Sequence, residues 1–117
     1  MAALNPSTLI EYLAGIETLN GSNFSDWKQK IDITLGILDL DLALCEDEPP
    51  KPNNESTTEQ KAKYTKWKMS NRMSLMIMKG SIGKTIRGVI PDEYNAKSFM
   101  SNVHEQFVGP TKALANL

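Results

Sequence analysis

Apolar residues at Phe24, Trp27, Ile31, Leu35, Leu38 and Leu42 recur in steps of three and four, which traces one face of a helix. A second stripe, Ile33, Ile37, Leu40 and Leu44, falls nearly opposite, so from about residue 31 the segment is apolar on most of its circumference. Such a helix is either central or bound to something. Gly36, Asp39 and Asp41 interrupt the pattern and leave open whether this is one helix or two. Just upstream, Asn20-Gly21 suits either a hairpin turn or the loop before a helix; the stripe decides for the loop. Asn23 is then the N-cap, its side chain expected to accept a backbone N–H, and Asp26 sits in the first turn. Phe24 and Trp27 form the first core-facing pair.

Ahead of this segment, Ser7 or Thr8 is placed to cap a short helix through Leu9, Ile10, Leu13 and Ile16, with Pro6 just before it. Behind it, EDEPPKPNNESTTEQ has almost no apolar residue, which predicts a weakly ordered linker over 45–57. Thr57 with Gln60, or Ser56 with Glu59, supplies a capping box for the next helix. That helix is predicted from about Thr58 to Lys79, roughly 33 Å at 1.5 Å per residue. Tyr64, Trp67, Asn71, Leu75 and Met78 line one face of it, and Met69, Met73, Met76 and Met78 read as core. Gly80 and Gly83 punctuate a short helix or turn carrying Ile82, Ile86 and Val89. Pro91 and Asp92 open a last full helix with Ala96, Phe99, Val103 and Phe107 at helical spacing, closed by Gly109-Pro110. Thr111 then caps a further helix, KALANL, that the sequence cuts short, as in a piece of a longer chain.

No stretch alternates with period two, so the expected class is all-α, about five helices around a Pro/Asn-rich loop. Residues 1–110 are expected to form one domain, with 111–117 the start of the further helix. A chain of 117 residues is long enough for one core without staples.

Charge and chemistry narrow the functions. Thirteen basic and fourteen acidic residues give a net charge of −1, which supplies no general pull on phosphate backbones. No window approaches the roughly 20 apolar residues of a membrane helix, and Ala2 after Met1 does not fit N-myristoylation. The single cysteine, Cys45, excludes an internal disulfide and a Cys-based zinc site. With no secretory stretch at the N-terminus it points to a reducing, cytoplasmic setting. The Asn-x-Ser sequons at Asn20, Asn23 and Asn54 then read as chance.

GSIGKT at residues 80–85 resembles a phosphate-binding loop, but Met78 stands where the full pattern needs a glycine, and a helix precedes it instead of a strand. His104, the one histidine, has no ligand or catalytic partner at a recognisable spacing and reads as a surface or edge residue. Lys79, Lys84 and Arg87, near Lys66 and Lys68 if the helices fold back, lack the interleaved aromatics of a single-strand binder and read as a solvated face. No enzymatic constellation, cofactor, metal or small-molecule substrate is expected.

Three stretches carry a family resemblance: LNGSNFSDWKQKIDITLGILDLDLAL, the W-x-x-S-N-R-M-S-L-M-I-M-K helix beginning at Trp67, and AKSFMSNVHEQFVG followed by KALA. Together they resemble the N-terminal part of the Gag polyprotein of plant Ty1/copia-type long-terminal-repeat retrotransposons, most specifically in Gly21, Asn23, Phe24 and Trp27. The resemblance implies a retroviral-type capsid N-terminal domain, a non-enzymatic structural protein that self-associates into the shell of a cytoplasmic virus-like particle. It implies aromatic core positions at Phe24, Trp27, Trp67 and Phe107, with Phe99 where relatives often place tryptophan. It implies RNA packaging only through downstream Gag regions not in this sequence, since no zinc knuckle, protease motif or polymerase is present. Ile31 and Leu35 join the expected core. Ile33, Ile37 and Leu40 are the candidate self-association surface. The rival readings are a domesticated Gag-like adaptor binding a host protein or peptide between its helices, a nucleic-acid binder, and a nucleotide enzyme using Lys84 and Thr85.

Overall fold

A computed structural model describes residues 6–108. The helix end at Gly109-Pro110, the domain limit at 110 and the further helix from Thr111 lie outside the described residues. Within them the regular structure is six helices: α1 (Pro6–Ala14), α2 (Phe24–Ile37), α3 (Leu42–Cys45), α4 (Thr58–Gly80), α5 (Lys84–Arg87) and α6 (Ala96–Phe107). No strand occurs among the described residues, so the all-α class holds; Leu19 and Ile82 make one isolated parallel bridge.

The first apolar stripe is the core stripe. Phe24, Trp27, Ile31, Leu35 and Leu38 are all buried, together with Met78, Phe99, Val103 and Phe107 from α4 and α6. Trp67 is buried on α4 as expected. Phe24 stacks on Phe107 with centroids 5.2 Å apart, tilts against Trp27 at 6.2 Å, and meets the edge of the exposed His104 at 5.8 Å. The start of α2 is thereby fixed to the end of α6, about 80 residues away in sequence and in direct contact in space.

A second tie sits at the C-terminus of α4. The Trp27 indole N–H donates to Ser81 Oγ at 2.9 Å, that hydroxyl donates back to the Ile77 and Met78 carbonyls, and Leu19 N–H donates to the Ser81 carbonyl. One serine thus closes α4 and holds both the α1–α2 connection and α2 itself.

Local chemistry differs from expectation at several points. Asn23 occupies the N-cap of α2 but its side chain makes no cap bond. Instead its Oδ1 accepts from Asn20 N–H at 2.7 Å and its Nδ2 donates to the Thr18 carbonyl, so it braces the preceding loop. Pro6 lies within α1 as its first residue, with Ser7 and Thr8 inside the helix, because proline's fixed φ suits the first turn. The capping box is Thr57 with Gln60. The last helix opens at Asn95, whose side chain accepts from Ser98 N–H, and not at Pro91-Asp92.

The segment 24–44 breaks in two. α2 stops at Ile37, Asp39 takes a left-handed φ of 57°, and α3 begins at Leu42. Asp tolerates that conformation better than most non-glycine residues, since its short polar side chain bonds locally. The methionines divide as well: Met78 is fully buried, Met73 is half-buried, and Met69 and Met76 are exposed, against the core reading of all four. Their places on the buried face are taken by Ser70, Asn71 and Ser74.

Those three polar groups are fully used. Ser70 Oγ accepts from Ala43 N–H and donates to the Leu40 carbonyl, which also accepts from Ser74 Oγ. Asn71 Nδ2 donates to the Tyr94 carbonyl at 2.7 Å while its Oδ1 accepts from Ala96 N–H at 2.6 Å. Replacing Asn71 with alanine orphans two backbone groups, and an unsatisfied buried group costs about 1–3 kcal/mol. Asn71→Ala is therefore expected to lower unfolding stability by about 2–4 kcal/mol in urea melts. Asn102→Ala, which frees only an exposed bond to the Pro91 carbonyl, should cost under about 1 kcal/mol.

Candidate interaction surface

The break after α2 separates the three residues proposed for self-association. Ile33 and Ile37, one turn apart on α2, are 50% and 52% exposed. Leu40 is not with them: it lies beyond the helix end, half-buried against the core, with its carbonyl held by the two serines of α4. The opposed-stripe reading grouped Leu40 with them while leaving the helix limit open; α2 ends at Ile37, and after the left-handed Asp39 the Leu40 side chain turns inward.

Further surface features surround α4. The first residues of the Pro/Asn-rich segment strap three elements together, bonds that its composition does not predict. The Glu46 carbonyl accepts from the Trp67 indole N–H at 3.0 Å, Asp47 pairs with Lys97 of α6 at 3.0 Å, and Glu48 takes two hydroxyls. Tyr64 O–H donates to Glu48 Oε2 at 2.8 Å and Tyr94 O–H to Oε1 at 2.9 Å. Polar backbone and side-chain bonds, not apolar burial, supply the order here, which a composition argument does not register.

Beside this strap lies an open cleft of about 570 Å³, floored by Trp67 and Leu75 and bordered by Lys68, Arg72, Lys79 and Asp92. Two of its three carboxylates, Glu48 and Asp92, are already engaged. The Tyr64 and Tyr94 hydroxyls hold the Glu48 carboxyl below its ordinary 4.5, against a smaller opposing effect of burial. In return, Glu48 raises both phenols above their ordinary 10.0. Lys79 pairs with Asp92 at 2.6 Å and holds that carboxyl low, while its ammonium also lies 5.3 Å over the Phe99 ring.

A separate apolar groove of about 390 Å³ runs between α1 and the late part of α4, lined by Leu9, Leu13, Ile16, Met73, Met76 and Ile77. α1 buries no residue completely, and its apolar side chains only partly cover this groove.

The phosphate-loop lookalike GSIGKT is divided between two helices and the bridge that joins them to Leu19. Gly80 ends α4, Ile82 is buried in the bridge to Leu19, and Lys84-Thr85 open the four-residue α5. Among the described residues no group of three or more His, Cys, Asp or Glu is arranged to hold a metal ion, and no helix is long and apolar enough to cross a membrane. Cys45 is exposed at the end of α3. Comparison with protein-family models, with curated proteins and with solved structures finds no match.

Sequence reasoning missed the Glu48 strap altogether. Its signal was present only as two tyrosines and one glutamate spread over residues 48–94, with no spacing rule to join them. The strap has a pH signature at each end. A carboxyl lowered on folding contributes stability above its unfolded value, lost as pH falls through the lower folded value. Phenols raised on folding contribute below 10.0 and lose that contribution as pH rises through the raised values. The stability difference between wild type and Glu48→Gln should therefore stay constant near neutrality and narrow below about pH 4.5 in urea melts at stepped pH. Phenolate absorbance should titrate at lower pH in Glu48→Gln than in wild type.

Proposed function

We propose that this chain is a structural, non-enzymatic domain that associates with copies of itself, as the N-terminal capsid lobe of a copia-type Gag does in building a cytoplasmic particle shell. The observation that carries the reading is the exposed pair Ile33 and Ile37 on α2. The other face of that helix is already filled by the core, and about half of each of these side chains is left open to solvent. Covering apolar surface against a partner is favourable at roughly 25 cal/mol per Å² before the cost of association. A rigid helix presenting two branched side chains one turn apart loses little side-chain entropy on docking.

The reading draws further support from the resemblance in the sequence, whose quoted stretches coincide with α2, α4 and α6. Phe24, Trp27, Trp67, Phe99 and Phe107, the aromatic positions considered with the resemblance, all lie in the interior, as a capsid-type helical bundle requires. RNA packaging belongs in this reading to downstream regions of the polyprotein.

The adaptor reading has one observation in its favour, the apolar groove between α1 and α4. The two readings separate by experiment. Sedimentation across concentration should give rising oligomers for the chain. Ile33→Asp with Ile37→Asp should weaken association about tenfold or more, with the unfolding midpoint shifted by no more than about 0.5 kcal/mol. Unchanged association in that double variant removes the α2 surface from the reading. Strict monomers at every concentration, with a single heterologous partner captured through the α1–α4 groove, favour the adaptor.

A further inference from the structure

We infer that the C-terminal end of α2 in one copy docks on the outer face of α4 in a second copy, an inference that rests on the self-association reading above. The α2 end pairs exposed apolar side chains with carboxylates, and the outer face of α4 pairs them with cations, of which Lys68 and Arg72 also border the cleft that holds Glu48, Asp92 and Glu93.

On α4 the buried residues Trp67, Ser70, Asn71, Ser74, Ile77 and Met78 occupy one side. At about 100° per residue, Lys61, Lys68 and Arg72 fall close to one line on the other side, with Met69 and Met76 just beside it. All are exposed, Met69 at 54% and Met76 at 61%. After Glu59 the helix has no acidic residue. Among the described residues, Lys79 is the only α4 cation in an ion pair. Exposed cations in line with exposed methionines make a face that suits an anionic surface with an apolar centre.

The end of α2 has those features. Ile33 and Ile37 are exposed, and Asp39 and Asp41 follow directly. The Asp41 carboxylate reaches over the last turn: its Oδ2 lies 3.9 Å from where a Cβ on Gly36 would stand, next to Ile37. The last turn of α2 carries no basic residue. A helix C-terminus already bears about half a negative charge, so two carboxylates there are repelled unless a cation is brought to them. Within the chain none of the ion pairs among the described residues involves Asp39 or Asp41. Asp26 and Lys30, earlier on the exposed side, offset each other.

The two surfaces cannot meet within one molecule. α3 follows the α2 end and is pinned to Ser70, roughly 180° around α4 from Lys61, so the acidic and basic surfaces lie on opposite flanks. A contact between unlike surfaces is heterologous and propagates into rings, filaments or shells instead of closing as a dimer.

The test is a charge swap in the full chain. Lys68→Glu with Arg72→Glu makes the α4 face acidic; Asp41→Lys places a cation on the α2 end, while Asp39 is kept for its left-handed backbone. Asp41 caps α3 by position but makes no side-chain cap bond, so the change removes none. Melting curves check that both fold. Each variant alone should associate about tenfold or more weakly than wild type by sedimentation, and an equimolar mixture of the two should recover association. Wild-type association should also fall steeply as salt rises from about 0.05 to 0.5 M.

No loss in either charge variant, while Ile33→Asp/Ile37→Asp still dissociates the chain, overturns this pairing and leaves the self-association reading standing. Loss in the variants with no recovery on mixing also overturns it. A third overturning result is retention of single-stranded RNA by wild type that Lys68→Glu/Arg72→Glu abolishes while self-association persists; the α4 face would then serve a polyanion.

Discussion

The buried face of α4 carries hydroxyl and amide groups where an ordinary core helix carries methyls, and the rest of the fold follows from having to satisfy them. Ser70, Asn71 and Ser74 are all but inaccessible to solvent. A polar group removed from water without a partner costs several times what a typical hydrogen bond contributes net. Helices packed side by side offer few free backbone groups, because theirs are already paired within the helix. The partners must therefore come from backbone that is not helical.

That requirement accounts for where the chain stops being helical. The Leu40 carbonyl and Ala43 N–H are available to the serines only because α2 ends at Ile37 and α3 has not yet closed its first turn. The Tyr94 carbonyl and Ala96 N–H are available to Asn71 because α6 opens at Asn95 and not four residues earlier. Both interruptions lie against the same stretch of α4. The left-handed turn at Asp39 is the backbone expense of the first, and the turn inward of Leu40 is its consequence. The strap then continues the same logic with Trp67 and Tyr64, whose polar tips emerge from the apolar face and take the Glu46 carbonyl and Glu48 carboxylate.

What could be read in the sequence divides along this line. Period and capping chemistry locate elements whose own residues decide them: the α4 limits, its Thr57–Gln60 box, and the Phe24, Trp27, Ile31, Leu35 stripe all match the structure. Decisions taken between elements were not legible. Apolar counting placed Met69 and Met76 inside and gave Ser70 and Ser74 no role, because it scores residues and not the backbone groups awaiting them. The same counting extended the second stripe through Leu40. Of the candidate surface, Ile33 and Ile37 were visible as a surplus stripe, while the charges that frame them needed the break in the helix to acquire a position.

A net charge of −1 averages away the feature that most distinguishes the surface. Between Asp32 and Glu48 every charged residue is acidic, whereas along α4 after Glu59 every one is basic. Exposed charges of this kind add little to the stability of the lobe, since solvent and salt screen them. In the proposed self-association their leverage is on encounter and orientation, where complementary potentials favour one docking register over others. A single helix face is small for a stable complex, so such a contact is weak taken alone. Repeated around a ring it becomes strong, because each bond already formed raises the effective concentration for the next. Weak, directional, heterologous contacts of this kind let a lobe remain separate when dilute and assemble when held together, which is the property a building block needs.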